Sequence, residues 1–140
     1  MALPSKLMLE IVTPDRPLAI EEVDEVVVPA SEGELGVLPG HTPLLASLKV
    51  GELWYRQGQE KHYLLIAFGF AEVQPGRVTI LAQGAEKADE IDLARAEQAK
   101  KRAEERVSRP TVDMDAERAR IALLKSLIRL QVATRATIRS

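Results

Sequence analysis

A chain of 140 residues, 46% hydrophobic, can bury one ordinary core and carry an appendage, but not two full-sized domains. It holds no cysteine, which excludes a disulfide framework, a thiolate metal site and a cysteine nucleophile. The net charge of −2 hides a division: residues 1–84 carry 6 basic and 11 acidic side chains, whereas residues 85–140 carry 13 and 10.

The N-terminal stretch "MALPSKLMLEIVTPD" has its apolar segment interrupted by Glu10, Pro14 and Asp15, unlike a signal peptide. The longest apolar run, Leu64 to Ala71, is far shorter than the roughly 18 residues that span a bilayer. Up to about Ala82, short β-branched and leucine-rich runs alternate with turn chemistry: "TPDRP", "PASEG", "LPGHTP", "RQGQE", "QPGR". No helix-length segment separates them, so the pattern predicts an antiparallel β-sandwich of about ten short strands. The clearest runs are Leu7–Val12, Ile20–Val28, Leu35–Leu38, Leu45–Leu48, Glu52–Arg56, His62–Ile66, Phe70–Gln74 and Val78–Ala82. Within "EGELGVLPGHTPLL", Pro39 and Gly40 fit the centre of a type II turn, and Gly33 and Gly36 allow a bulge or sharp bend.

After Gly84 the chain has one proline, Pro110, and no glycine, and strong helix formers dominate. Two helices, Asp92–Val107 and Asp113–Arg139, are separated by "SRPTVD", with Asp92 and Asp113 suited to the N-cap. The domains are therefore residues 1–87, a sandwich, and residues 88–140, an α-helical hairpin. Ala96, Ala99 and Ala103 form a thin stripe on the first helix. On the second, Met114, Ile121, Leu124, Ile128 and Val132, extended by Leu123, Leu127 and Leu130, make an apolar arc of roughly 200°. One alanine-faced helix cannot cover that arc, so either the sandwich covers the rest or a second partner does. From Arg118 onward there are basic residues and no acid, and Arg118, Lys125 and Arg129 lie within about 20° of the same direction.

The motifs give no catalytic residue and no metal site. His41 and His62 lack the HExxH spacing, no G-x-S-x-G occurs, and the glycine-rich stretch lacks a phosphate loop's lysine and strand-to-helix context. The helical half has no aromatic residue for stacking, which argues against nucleic acid.

"EGELGVLPGHTPLL", followed by "GFAEV" and then "IDLARAEQAKKRAEE", resembles the epsilon subunit of bacterial and chloroplast F-type ATP synthases, from Leu7 to about Val132. The resemblance implies a noncatalytic subunit of the rotor's central stalk that couples ion-driven rotation to ATP synthesis. It binds the gamma subunit and the c-subunit ring, with Glu34 and His41 at the ring. The hairpin would extend into the alpha/beta catalytic hexamer and restrain ATP hydrolysis, with Arg118, Lys125 and Arg129 meeting the beta subunits. No cofactor is required. ATP is implied as a regulatory ligand of the folded hairpin, held by Glu86, Asp92, Arg95 and Arg102 with Arg118, Lys125 and Arg129 on the facing helix. Membrane association would come only through the complex, at the cytoplasmic face. The rival reading is a free-standing β-sandwich adaptor whose basic helix binds anionic lipid or nucleic acid. "LKSLIRLQVATRATIRS" runs past the usual family ending, so no expectation attaches to residues 133–140.

Overall fold

The computed structural model describes residues 4–109 and 115–139, the side chains of the last four excepted. In order come β1 (Leu7–Val12), β2 (Pro17–Val23), β3 (Glu25–Ala30), β4 (Gly33–Val37), β5 (Leu44–Gln57), β6 (Glu60–Gln74), β7 (Arg77–Lys87), a 3-10 turn at Ala88–Glu90, α1 (Leu93–Ser108) and α2 (Ala116–Arg139). The strands hydrogen-bond in the order β2-β1-β7-β6-β5-β3-β4. All pairs are antiparallel except β1 with β7, so the wholly antiparallel expectation is corrected at that one ladder.

The expected ten or so short strands become seven longer ones among the described residues. Leu45–Leu48 and Glu52–Arg56 are two parts of β5, His62–Ile66 and Phe70–Gln74 are two parts of β6, and Ile20–Val28 breaks at Asp24 into β2 and β3. The apparent breaks are bends in continuous strands. Leu48 pairs with Gly69 and Val50 with Ala67, while Ala67 pairs with Gly84 and Gly69 with Ala82. Only the line through Lys49, Phe68 and Gln83 drops out of the ladder. There Phe68 takes φ +63° and Gly69 φ +134°. A Cβ at Gly69 would stand 2.1 Å from the Leu81 carbonyl oxygen, so only glycine fits.

The core-facing alternation changes phase across this line: Leu64 and Ile66 point inward before it, Ala71 and Val73 after it. The sheet thereby folds into two layers around one core to which all seven strands contribute. Leu7, Leu9, Ile11, Val28, Leu53 and Ile66 are fully buried there.

The turn at Leu38–His41 forms as expected: the His41 amide donates to the Leu38 carbonyl at 3.1 Å, with Gly40 at φ +88°. Gly33 has φ +133°, but Gly36 stays in regular register with Val27, so no bulge forms there.

Asp92 caps α1 by accepting from the Arg95 amide at 3.2 Å. Asp113, the expected cap of the second helix, lies outside the described residues. Asp115 takes that role, accepting from the Arg118 amide at 3.2 Å. The helices pack through small side chains: Ala96 and Ala103 on α1 and Ala119, Ser126 and Ala133 on α2 are buried at seven-residue spacing. The hairpin lies back on the outer face of the sheet, where Ile128 and Phe68 pack on Val50, Leu65 and Ala67.

Candidate functional site

The seam between α2 and the sheet is set by charge register. Glu52, Leu65 and Glu86 are cross-strand neighbours on β5, β6 and β7, forming one row on the outer face. Two strand spacings place the two carboxylates about 9.6 Å apart. Residues 129 and 135 of a helix are separated by about 9 Å of rise. The two lengths match, and α2 runs across the strands with a cation over each acid. Arg129 grips Glu86 with Nε at 3.1 Å from both carboxylate oxygens and Nη2 at 2.7 Å from Oε1. Arg135 Nε lies 3.2 Å from Glu52 Oε2, and the Gln131 amide donates to the same oxygen at 3.3 Å. The basic helix, without an acid after Glu117, thus finds two of its anions elsewhere in its own chain.

Glu52 is held in an unfavourable position. Burial pushes its pKa above the ordinary carboxylate value, with Glu34 adding to the rise, while Arg135 and Gln131 act against it.

Beside the Arg129–Glu86 pair lies a cavity of about 270 Å³, walled by β6 and β7, by α2 and by the β1–β2 turn. Glu86, Lys125 and Arg129 line it, so three of the residues expected to hold ATP meet at one place. Lys125 has no ion-pair partner among the described residues. Glu86 is not a free acceptor for an adenine amino group, because Arg129 occupies it. Asp92 is engaged as the α1 cap. Arg95, Arg102 and Arg118 are exposed and do not line the cavity. The expected basic stripe is accordingly divided: Arg118 faces solvent, Lys125 the cavity and Arg129 the sheet. Arg16, also at the cavity, carried no sequence motif; only its place in a turn that folds over the hairpin's base brings it there.

The apolar arc of α2 is shared. Val132 is buried and Ile128 half-buried, while Leu124 and Leu127 remain about two-fifths exposed, at 42% and 43%.

On β4 Glu34 is exposed, and His41 Nδ1 hydrogen-bonds the Thr42 carbonyl at 2.7 Å. The turn carrying His41 is tied to the β6–β7 loop by the Gly40 amide, which donates to the Pro75 carbonyl at 2.7 Å. Glu34 lies on β4 and His41 just past the turn that follows that strand. Nearby sheet surface is apolar: Phe70 and Leu81 are cross-strand neighbours, both about half-exposed, and Leu45 and Ile20 are exposed too.

A second hollow of about 550 Å³ lies near the β5–β6 turn, lined by Tyr55, His62, Lys61 and Asp89 among others. His62 stacks on Tyr55 at a centroid separation of 4.9 Å. Burial, with Glu21 and Asp89, pushes the Tyr55 hydroxyl up to about 12. None of the expected site residues reaches this hollow.

The chain is thus a two-layered sheet with a helical hairpin docked on its back through a narrow, charged seam. Residues 6–88 match the β-sandwich domain of the ATP synthase delta/epsilon chain, and residues 89–134 match that chain's long α-helix domain. The chain belongs to this family. It is 49% identical over 131 residues to ATP synthase epsilon chain 1 of Syntrophotalea carbinolica, covering 93% of this chain and 95% of that one. It is 51% identical over 128 residues to the ATP synthase epsilon chain of Syntrophobacter fumaroxidans, covering 91% and 96%. In three dimensions it is similar to a chain of the Euglena gracilis mitochondrial ATP synthase, solved with OSCP, F1 and the c-ring. The TM-score is 0.81 at 27% identity, covering 99% of this chain and 84% of that one. Among the described residues no helix is long and apolar enough to cross a membrane.

Proposed function

We propose that the chain is the noncatalytic epsilon-type rotor subunit of an F-type ATP synthase, with the sandwich as its coupling part and the hairpin as its regulator. The observation that carries this is the unequal construction of the two parts, in a chain whose relatives are ATP synthase epsilon chains along nearly their whole length. The exposed Phe70–Leu81 surface offers the gamma subunit an apolar face, and the edge bearing Glu34 and His41 offers the c-ring two polar contacts. Leu124, Leu127 and Arg118 are left for the alpha/beta hexamer when the hairpin leaves the sheet. Association with the cytoplasmic face of the membrane then comes through the complex alone.

ATP is the proposed regulatory ligand of the docked hairpin, held at the cavity shared by Glu86, Lys125 and Arg129. Phosphates can compete with Glu86 for Arg129 and meet the unpaired Lys125. A ligand that binds only the docked form shifts the hairpin away from its inhibitory form by its differential affinity and no more. The adaptor reading has no comparable support, because the helix it needs free is ion-paired to the sheet.

The test is assembly of the synthase with residues 88–140 deleted. The truncated chain is expected to give a coupled enzyme with faster ATP hydrolysis; failure to assemble would remove the coupling role from the sandwich. Arg118 changed to alanine should raise hydrolysis, since that side chain is exposed in the docked form and does not line the ATP cavity.

A further inference from the structure

The cavity beneath α2 has a wall that belongs to neither helix. Residues 13–16, in the turn between β1 and β2, reach its rim with Arg16. The turn is rigid for a local reason. The Thr13 amide and hydroxyl both donate to the Arg16 carbonyl at 3.0 Å, and the Arg16 amide donates back to Thr13 Oγ1 at 3.3 Å. Arg16 is thereby aimed, and its Nη2 takes Glu90 Oε2 at 2.8 Å. Glu90 lies in the 3-10 turn that joins sandwich to hairpin.

Two guanidinium–carboxylate pairs therefore flank the cavity, Arg129–Glu86 on the hairpin side and Arg16–Glu90 on the linker side, with Lys125 unpaired between the elements that carry them. Of these two carboxylates Glu86 lines the cavity itself and stands where an anionic ligand's oxygens would stand; Asp15 is the other acid at its wall, and Glu90 holds Arg16 from outside the lining. A volume of about 270 Å³ lies just below the usual range for small-molecule sites, so it takes a phosphate chain rather than a whole nucleotide.

We propose that Arg16 is a phosphate-binding residue of the nucleotide site, contributed by the sandwich, and that it exchanges Glu90 for a phosphate oxygen when ATP binds. This rests on the ATP reading above. The consequence is mechanical: phosphates held by Arg16 on one side and by Lys125 and Arg129 on the other bridge the two domains, so the site is complete only while the hairpin is docked.

Calorimetry of the full-length chain with ATP and with inorganic tripolyphosphate tests this on the wild type and on Arg16→Ala, Arg16→Lys and Glu90→Gln. Loss of one charge-assisted contact is expected to weaken both ligands by about tenfold to a hundredfold in Arg16→Ala. Arg16→Lys should recover part of the loss. Glu90→Gln should bind at least as tightly as wild type, because it frees the guanidinium. Wild type failing to bind ATP at millimolar concentration overturns the ATP reading and this inference with it. Wild type binding with Arg16→Ala unchanged overturns the inference alone. So does a Glu90→Gln loss equal to that of Arg16→Ala, which would make Arg16 a tether for the linker, or a loss confined to ATP and absent for tripolyphosphate.

Discussion

Between the layers of the sheet, side chains from all seven strands close on one another, and Leu7, Leu9, Ile11, Leu53 and Ile66 lose all contact with water. Beneath the hairpin the buried apolar cluster among the described residues is Val50, Leu65 and Ala67, met by the half-buried Phe68 and Ile128 and flanked by ion pairs. Stabilisation follows apolar area at about 25 cal/mol per Å², so the core holds far more of it than the seam. Partly exposed ion pairs add only about 0–1 kcal/mol each. They fix where α2 sits along the Glu52–Leu65–Glu86 row more than how tightly it is held. Undocking the hairpin is therefore expected to take a fraction of the free energy needed to unfold the sandwich.

The largest expected effect tests this inequality directly. Leu53→Ala, in the fully buried core, should cost about 2–5 kcal/mol. Ile128→Ala, half-buried at the seam, should cost on the order of 1 kcal/mol. Denaturant unfolding followed by the fluorescence of Trp54, the sole tryptophan, reads the first. Amide hydrogen exchange across α2 reads the second, with the Trp54 midpoint nearly unmoved. Equal costs on both probes would make seam and core one cooperative unit and end the comparison.

A smaller effect separates the seam's charges from its apolar contacts. Arg129→Ala leaves Glu86 unpaired, but that side chain is 35% exposed and water reaches it. The expected loss of docking is about 1 kcal/mol or less, weakening with added salt. It should appear as faster exchange in α2 at unchanged sandwich stability. A loss as large as that of a fully buried pair would mean that electrostatics, not Leu65 and Ile128, hold the hairpin.

Much of this was legible from residue order, for identifiable reasons. Asp92 could be read as a cap because an acid before a run of strong helix formers has few other local uses, and the Leu38–His41 turn because Pro39 and Gly40 each fix a backbone angle. The alanine stripe of α1 followed from helical spacing, but its partners Ala119, Ser126 and Ala133 were masked by the leucines around them. The fold line at Phe68 was hidden because "LLIAFGFA" is buried on both faces up to Ala67, one face by the core and the other by α2, so no alternation marks the change of phase. Of the seven residues expected to hold ATP, Glu86, Lys125 and Arg129 converge while Asp92, Arg95, Arg102 and Arg118 lie off the cavity, and Arg16 and Glu52 could not be found at all. Their positions depend on which strand rows lie under the helix, and that is a property of the folded register alone.

Acid sharpens the comparison most delicately, because the two regions should respond to it in opposite directions. At the seam, Glu52 is flanked by Arg135 and Gln131 of α2 and by Glu34 of β4, and burial under the hairpin raises its pKa above the ordinary 4.5. A carboxyl that binds its proton more readily in the docked form favours docking as pH falls. The gain sets in near the raised pKa and is complete below 4.5. In the sandwich, Asp24 accepts from Lys6 and from the Gly58 amide, and its pKa is lowered below the ordinary 3.8 by the Lys6 hydrogen bond first and the Gly58 amide second. Its contribution is present above 3.8 and lost as pH falls through the depressed value. Between neutrality and about pH 4, hydrogen exchange of α2 should therefore slow, after allowance for the intrinsic pH dependence of exchange, while sandwich stability keeps its Asp24 contribution. Glu52→Gln should abolish the α2 response and leave that contribution untouched. An α2 response that persists in Glu52→Gln would mean that another group, and not this carboxyl, senses the acid.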